Sequence, residues 1–208
     1  MYRKCGKRLL DILISVISLP FIGIIILVLA PIIHFEDHGP VFYNAVRLGQ
    51  NGRTFLMLKL RSMYVNAPNI VTGDGQTFNS DTDPRVTRIG RLMRKTSLDE
   101  LPQFLNVLLG DMSIVGPRAH LTTHYRGYDT LDEVRRKRLS VKPGITGYNQ
   151  AYFRNSVALS EKMKNDCYYV DHLSLALDVR ILFKTVVTVL KRENVFIENV
   201  AKKSGKQR

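Results

Sequence analysis

The sequence ILISVISLPFIGIIILVLAPIIHF, at residues 12–35, contains no aspartate, glutamate, lysine or arginine. As a straight helix it would be about 36 Å long, which is enough to cross a hydrocarbon core of about 30 Å. A basic start precedes it, with Arg3, Lys4, Lys7 and Arg8. The chain that follows has the mixed composition of a water-soluble domain. We therefore predict an N-terminal membrane anchor, residues 1–36, that holds a domain at the bilayer surface.

Three membrane arrangements fit this run. A cleaved signal peptide is disfavoured because the run is longer than a signal core and Pro31 follows its small-residue stretch at once. A full span is disfavoured because basic residues, which prefer the cytoplasm, lie close to both of its ends. Pro20 cannot bond to the carbonyl of Val16, so we expect a bend near Ser18 and Pro20. We predict a re-entrant helix that enters and leaves on the cytoplasmic side, with an ordinary kinked span as the alternative.

The composition indicates one domain with polyanionic partners. Of the 208 residues, about 170 follow the anchor, enough for a sizeable core. The net charge of +13 favours anionic membrane lipid, phosphorylated substrates or nucleic acid. The two distant cysteines, Cys5 and Cys167, suggest no disulfide framework and fit a reducing cytoplasm. We predict a cytoplasmic domain at residues 37–195 and a disordered basic tail at residues 196–208.

Patterning along this domain predicts an α-rich α+β fold. Residues 41–43 and 54–58 are strand-like and flank an Asn-Gly step at residues 49–52, which is typical of a β-hairpin. A further strand is predicted at residues 112–115, and a long loop at residues 66–84. The predicted helices, several of them amphipathic and expected at the cytoplasmic membrane face, cover residues 85–95, 97–109, 131–139, 157–171 and 174–192.

Two adjacent acids, Asp99 and Glu100, lie in the segment SLDELPQ at residues 97–103. One interpretation is structural: Ser97 and Glu100 have the spacing of a capping box, and acids suit the first turn of a helix. The other is chemical, because two carboxylates among arginines can bind Mg²⁺ and direct one of them at phosphorus, giving an acyl-phosphate. Pro102 fits a first turn if Asp99 is the N-cap. The pattern alone leaves both open.

Scattered cations are the candidates for binding phosphate. Arg118 is the best placed of them, because the turn Gly116-Pro117 before it can aim a guanidinium and backbone N–H groups at one anion. The candidates are Lys59, Arg61, Arg94, Arg118 and Arg154.

Other functional classes find little support. The pairs His34/His38 and His120/His124 lack the HExxH or CxxC patterns of a zinc site. P-loop, Rossmann and Gly-x-Ser-x-Gly motifs are absent from the sequence. The basic run at residues 135–138 lacks base-stacking aromatic residues, so we expect it to rest on anionic lipid and expect no nucleic acid partner.

Several linked motifs together resemble one family. They are KLRSM at residues 59–63, TRIG at 87–90, SLDELPQ at 97–103, NVL at 106–108, GDMS at 110–113, VGPR at 115–118, KPGITG at 142–147 and DCYY at 166–169. With the broken apolar segment, this order resembles the bacterial sugar transferases, the monotopic polyprenyl-phosphate phosphoglycosyl transferases, in their small form. The resemblance covers about residues 1–195.

The resemblance implies an activity and a set of roles. The expected reaction moves a sugar-1-phosphate from a UDP-sugar to polyprenyl (undecaprenyl) phosphate and releases UMP, as the first membrane step of glycan assembly. Asp99 would be the nucleophile that becomes covalently phosphorylated, and Glu100 would assist with Mg²⁺ and the acceptor. The implied substrate contacts are Lys59, Arg118 and Arg154, with Asp166 and Tyr168 near the site. The implied location is the cytoplasmic face of the bacterial inner membrane, in contact with anionic lipid, and a homodimer is left open.

Two other functions stay in view. The first is a non-catalytic membrane-surface scaffold or interaction protein, in which Asp99 and Glu100 only cap a helix. The second, weaker one is a membrane-tethered nucleic-acid binder. Asparagine caps a helix about as well as aspartate, so replacing Asp99 by asparagine separates the scaffold from the enzyme.

Overall fold

A computed structural model describes residues 2–68, 70, 78, 80, 82–122 and 125–191. Much of the predicted loop at residues 66–84 and the whole predicted tail at 196–208 lie outside them. The helices are α1 (Lys7–Asp37), α2 (Arg88–Thr96), α3 (Gln103–Leu109), α4 (Glu133–Arg138), α5 (Tyr148–Tyr152), α6 (Leu159–Asp171) and α7 (Leu175–Lys191). The strands are β1 (Ala45–Leu48), β2 (Thr54–Met57), β3 (Ser113–Val115), β4 (His120–Leu121) and β5 (Gly144–Thr146). The helix-rich fold with small sheets confirms the predicted class.

The anchor forms one continuous helix, α1, which runs through Ser18 and Pro20. Its 31 residues make it about 46 Å long. Among the described residues it is the helix that is long and apolar enough to cross a membrane, judged by length and composition. One stripe along it is buried, from Asp11 to Ile33, while apolar residues such as Phe21 and Leu27 on the other side are exposed. The helix therefore has a protein-facing and an apolar outer side, and its re-entrant course stays a prediction.

Both ends of α1 contact the same domain. Near its start, Lys7 Nζ lies 2.7 Å from Asp178 Oδ2 on α7. At its end, Asp37 Oδ2 lies 2.5 Å from Arg61 Nη1, shortly after β2. The helix is thus attached to the domain at two places that are far apart along its axis.

The predicted hairpin is confirmed, with a first strand that starts later than predicted. β1 and β2 are antiparallel, from Ala45 opposite Met57 to Leu48 opposite Thr54, and β4 pairs with the other edge of β1. Residues 41–43, predicted as a strand, make only the isolated bridge of Phe42 with Leu60. The predicted strand at residues 112–115 is β3, which pairs in parallel with β5.

Two apolar clusters stabilise the domain. The larger one joins β2, α3, β3, α6 and α7 around residues such as Met112, Tyr169 and Ile181. The smaller one joins the second half of α1 to the segments at Leu60 and Met93. The segments between these clusters hold the polar residues of the candidate site.

Candidate active site

A left-handed residue sets the position of the two acids. Ser97 ends α2 with φ 59° and ψ 20°, and a 3₁₀ turn at Leu98–Glu100 follows directly. The Ser97 side chain makes no capping bond, and α3 begins only at Gln103, so the predicted capping box and the start of the predicted helix are wrong. α2 is capped instead by Thr87, whose Oγ1 accepts from Gly90 N–H at 3.0 Å. The reversal at Ser97 turns the two acids towards other parts of the chain.

Within the part of the chain that the structure describes, side-chain cations, and not backbone N–H groups, pair with the two carboxylates. Lys59 Nζ lies 2.7 Å from Asp99 Oδ2 and 3.4 Å from Glu100 Oε1. Arg118 Nη2 donates to the same Glu100 Oε1 at 2.8 Å. Asp99 is only 3% exposed, and a buried carboxylate is tolerated when it is paired in this way. These four residues therefore lie together in the structure.

The main chain fixes Lys59 beside the acids. Leu60 N–H donates to the carbonyl oxygen of Asp99 at 2.9 Å, and Arg61 N–H donates to the carbonyl oxygen of Val41 at 2.9 Å. The Leu60 side chain is fully buried. The segment after β2 is thus held from both sides, and Lys59 has little freedom to leave the acid pair.

Glu100 stays ionised at neutral pH. Burial by itself would raise its pKa, but the charges of Arg118 and Lys59 and their hydrogen bonds outweigh burial and lower the pKa from 4.5 to about 2. In return, the charge of Glu100 raises the pKa of Arg118. The Arg118 side chain is about half exposed, so it faces the surroundings from which an anionic substrate would approach.

Three further arginines lie around this pair. Arg94 donates from Nε to Ser62 Oγ at 2.9 Å, and burial lowers its pKa against the opposing charge of Asp99. Arg154 donates from Nη2 to Ser97 Oγ at 3.3 Å, and burial again is the main cause of its lowered pKa. The third is Arg47 on β1, whose pKa is lowered by burial and then by the charge of Arg118.

Arg47 was not predicted as a site residue. Its only sequence signal is a cation within an apolar hairpin strand, which is more often solvated than functional. Together these partly buried cations outnumber the two carboxylates, so the site favours a multiply charged anion.

Asp166 is linked to the site through Arg138 and the backbone of Arg118. Its carboxylate pairs with Arg138 Nε, and Arg138 Nη2 donates to the carbonyl oxygen of Arg118. Both side chains are buried, and burial raises the pKa of Asp166 against the effect of Arg138. Arg138 is therefore not part of a lipid-facing basic surface, as its place in the run at residues 135–138 had predicted.

Tyr168 belongs to an aromatic group with Tyr148 and His172. Its ring stacks on His172 with centroids 4.1 Å apart and lies 5.0 Å from the ring of Tyr148. It is 44% exposed. No contact between Tyr168 and the acid pair is recorded among the described residues, so its expected substrate role stays a prediction.

Asp99 and Glu100 are the residues that would hold the Mg²⁺ ion expected from the sequence. The described residues hold no group of three or more histidine, cysteine or acidic side chains suited to a metal. Mg²⁺ at phosphate-handling sites is commonly held by one or two carboxylates, with phosphate oxygens and water completing its shell. Oxygens of Asp99 and Glu100 already converge on one cation, the ammonium of Lys59.

The lowered pKa of Glu100 predicts a pH-dependent stability. Because this pKa is lower in the folded chain, the stabilisation is complete above about pH 4.5 and is lost as the pH falls towards 2. We expect Glu100→Gln to lower the melting temperature in detergent equally at about pH 7 and about pH 5, and by less below that range. Glu133→Gln, at an exposed acid of α4, is the control and should show no such trend. An undiminished difference at about pH 3 would contradict the assignment.

The chain matches the family described as bacterial sugar transferase over residues 2–192. It is 42% identical over 193 residues to "Galactosyl transferase CpsE" of Streptococcus agalactiae serotype III, which covers 89% of this chain and 42% of that protein. Its identity is 41% over 187 residues with the "UDP-N-acetylgalactosamine-undecaprenyl-phosphate N-acetylgalactosaminephosphotransferase" of Aeromonas hydrophila, covering 88% and 43% of the two chains. For "Exopolysaccharide production protein ExoY" of Sinorhizobium fredii it is 37% over 198 residues, covering 88% and 85%.

The chain spans about two-fifths of the length of the first two relatives and most of the third. The matched part contains α1, the acid pair and every cation described around it. From the match over residues 2–192, this chain belongs to the bacterial sugar transferase family.

Proposed function

We propose that this protein transfers a sugar-1-phosphate from a UDP-sugar to polyprenyl (undecaprenyl) phosphate, releasing UMP. The observation that carries the proposal is a buried Asp99 beside an ionised Glu100, both paired with cations. The name of the Aeromonas hydrophila relative gives the same reaction class. The product would be a polyprenyl-diphosphate sugar, made at the start of glycan assembly.

The first proposed step is nucleophilic. A carboxylate oxygen of Asp99 attacks the phosphorus that bears the sugar, the phosphoanhydride bond breaks, and UMP leaves with the bridging oxygen. Fixed cations stabilise the developing negative charge, and Lys59, Arg94 and Arg118 are suited to this role. Arg154, which donates to Ser97 Oγ, would contact the same phosphates.

The second proposed step regenerates the enzyme. A phosphate oxygen of polyprenyl phosphate attacks the same phosphorus, the acyl-phosphate bond breaks, and Asp99 returns to a carboxylate. Asp99 and Glu100 would hold a Mg²⁺ ion, which when bound neutralises phosphate charge. Glu100, with its low pKa, remains a carboxylate throughout and acts by charge and position, not as a proton donor.

The two alternative functions are less well supported. In the scaffold hypothesis the acids only cap a helix, yet both carboxylates pair with side-chain cations. In the nucleic-acid hypothesis the basic run at residues 135–138 is a binding surface, yet Arg138 is buried and Lys137 pairs with Asp171 at 2.8 Å.

We further propose that the domain sits on the cytoplasmic face of the inner membrane and that α1 is re-entrant. A perpendicular span would carry one end of α1 about 30 Å away from the domain, whereas both Lys7 and Asp37 contact it. Apolar side chains along the outer side of α1 and on α7, such as Phe183, are exposed and suited to lipid. The basic start before α1 suits an anionic cytoplasmic leaflet.

The activity is tested by UMP release from a panel of UDP-sugars with polyprenyl phosphate and Mg²⁺. We expect one or a few donors to react, and Asp99→Asn to lower the rate by about a thousandfold or more because the nucleophile is lost. Asp129→Asn is the matched control, since Asp129 lies in an exposed 3₁₀ turn, Tyr128–Thr130; it should react normally. Release by Asp99→Asn at the wild-type rate would remove Asp99 as nucleophile, and no release with any donor would favour the scaffold.

The topology is tested with a membrane-impermeant maleimide on intact cells. Cys167→Ser leaves the exposed Cys5, which lies before α1. A second protein, without either cysteine but with Lys164→Cys, reports the domain, because the Lys164 side chain is 77% exposed. We expect both cysteines to react only after the membrane is permeabilised. Labelling of one of them from outside intact cells would establish a spanning helix.

A further inference from the structure

The second half of α1 packs against the segments that carry charged residues of the candidate active site. Leu29 and Ile33 of α1 cluster with Leu60, Met93 and Leu98. Leu60 and Met93 are fully buried. Each of these three partners is the chain neighbour of a charged site residue. Those neighbours are Lys59, Arg94 and Asp99.

A bidentate ion pair joins the end of α1 to the segment after β2. Asp37 Oδ1 and Oδ2 lie 2.6 and 2.5 Å from Nη2 and Nη1 of Arg61. Arg61 also donates to the carbonyl oxygens of Ile33 and Met63, both at 3.1 Å, and its side chain is buried. Because Arg61 follows Lys59 by two residues, this pair restrains the position of Lys59.

The residue before Asp37 caps a second site element. Glu36 Oε1 accepts from Arg88 N–H at 2.5 Å, and Oε2 accepts from Ile89 N–H at 3.3 Å. Both N–H groups lie in the first turn of α2, where the helix itself offers them no acceptor. A carboxylate at a helix N-terminus also stabilises it electrostatically. α2 carries Arg94 towards the acid pair, so Glu36 acts on the position of Arg94.

α2 and the segment after β2 are in direct backbone contact. A Cβ at Gly90 would lie 2.0 Å from the carbonyl oxygen of Ser62, a distance only glycine permits. Thr87 N–H donates to the same oxygen at 3.2 Å, and the Ser62 hydroxyl accepts from Arg94. These two elements are therefore expected to move together when the end of α1 moves.

We propose that Glu36 and Asp37 are positioning residues, through which the membrane helix holds Lys59 and Arg94 at the reacting phosphates. The inference rests on the proposed function. If it holds, the phosphate site is complete only when the second half of α1 packs against the domain. The first half of α1 is anchored separately, through Lys7 and Asp178.

The test compares Asp37→Asn with Asp178→Asn. Asp37 pairs with Arg61 at the end of α1, and Asp178 on α7 pairs with Lys7 at its start, so each substitution removes one ion pair. We expect Asp37→Asn to lower kcat/KM for the donor by about tenfold or more, mainly through KM, because misplaced cations bind its phosphates less well. Asp178→Asn should stay within about twofold of wild type, even if its melting temperature falls as far. Equal losses of activity in both variants would reduce the role of Asp37 to general stability.

A double-mutant cycle asks whether Asp37 acts through Lys59. In a Lys59→Met background we expect Asp37→Asn to cause a smaller fold loss of kcat/KM than it causes in wild type, since one of its two targets is already absent. If the double variant instead loses activity by the product of the two single losses, Asp37 does not act through Lys59.

Tryptic cleavage after Lys59, in protein held in lipid vesicles, gives a readout that needs no activity. Asp37→Asn should be cut there faster than wild type, and Asp178→Asn should not. If wild type transfers no sugar phosphate, the proposed function fails, but this comparison still tests whether Asp37 restrains Lys59. Equal cleavage of Asp37→Asn and wild type would show that it does not.

Discussion

The contact of Lys59 with both Asp99 and Glu100 is the interaction on which the rest of the site depends. Two neighbouring carboxylates repel each other, and burying Asp99 removes it from water. Lys59 and Arg118 offset both costs, because they hold the two acids close together and lower the pKa of Glu100. Each neighbouring element serves this arrangement: β2 leads to Lys59, and the turn after β3 leads to Arg118. Such a cluster, with its charges already in place, can receive a diphosphate without large rearrangement.

The membrane helix is part of this arrangement and not a detachable anchor. Its apolar outer side suits lipid, yet its last turn ends in Glu36 and Asp37, which bind the elements that carry the cations. A protein built this way links its location to its chemistry, because a displaced helix also disturbs the site. The two substrates of the proposed reaction also belong to these two environments: one is soluble in water and the other lies in the membrane.

Local patterns predicted much of the fold, because they depend on neighbouring residues. The hairpin follows from the Asn51-Gly52 turn and the long helices from apolar periodicity. The capping box at Ser97 failed because its left-handed backbone conformation leaves no local signal when the residue is not glycine. The buried role of Arg138 was missed because its partner, Asp166, lies on another helix, and a basic run in sequence resembles a solvated face.

The grouping of the site could be predicted only through the resemblance to a family. Lys59, Asp99 and Arg118 are far apart in sequence, and nothing local indicates that they meet. The role of Asp37 was not predicted at all, because an acid after an apolar run is usual at the end of a membrane segment.

The proposal that Asp99 carries the phosphosugar is tested most directly by mass spectrometry of peptides from the digested protein. Wild type and Asp99→Asn would be incubated with the reactive UDP-sugar and Mg²⁺ without polyprenyl phosphate, quenched, and digested. We expect that the peptide containing Asp99 gains the mass of one sugar phosphate, that the variant gains none, and that added acceptor removes the label. A label on another residue, or transfer to the acceptor with no labelled protein at any time, would contradict it.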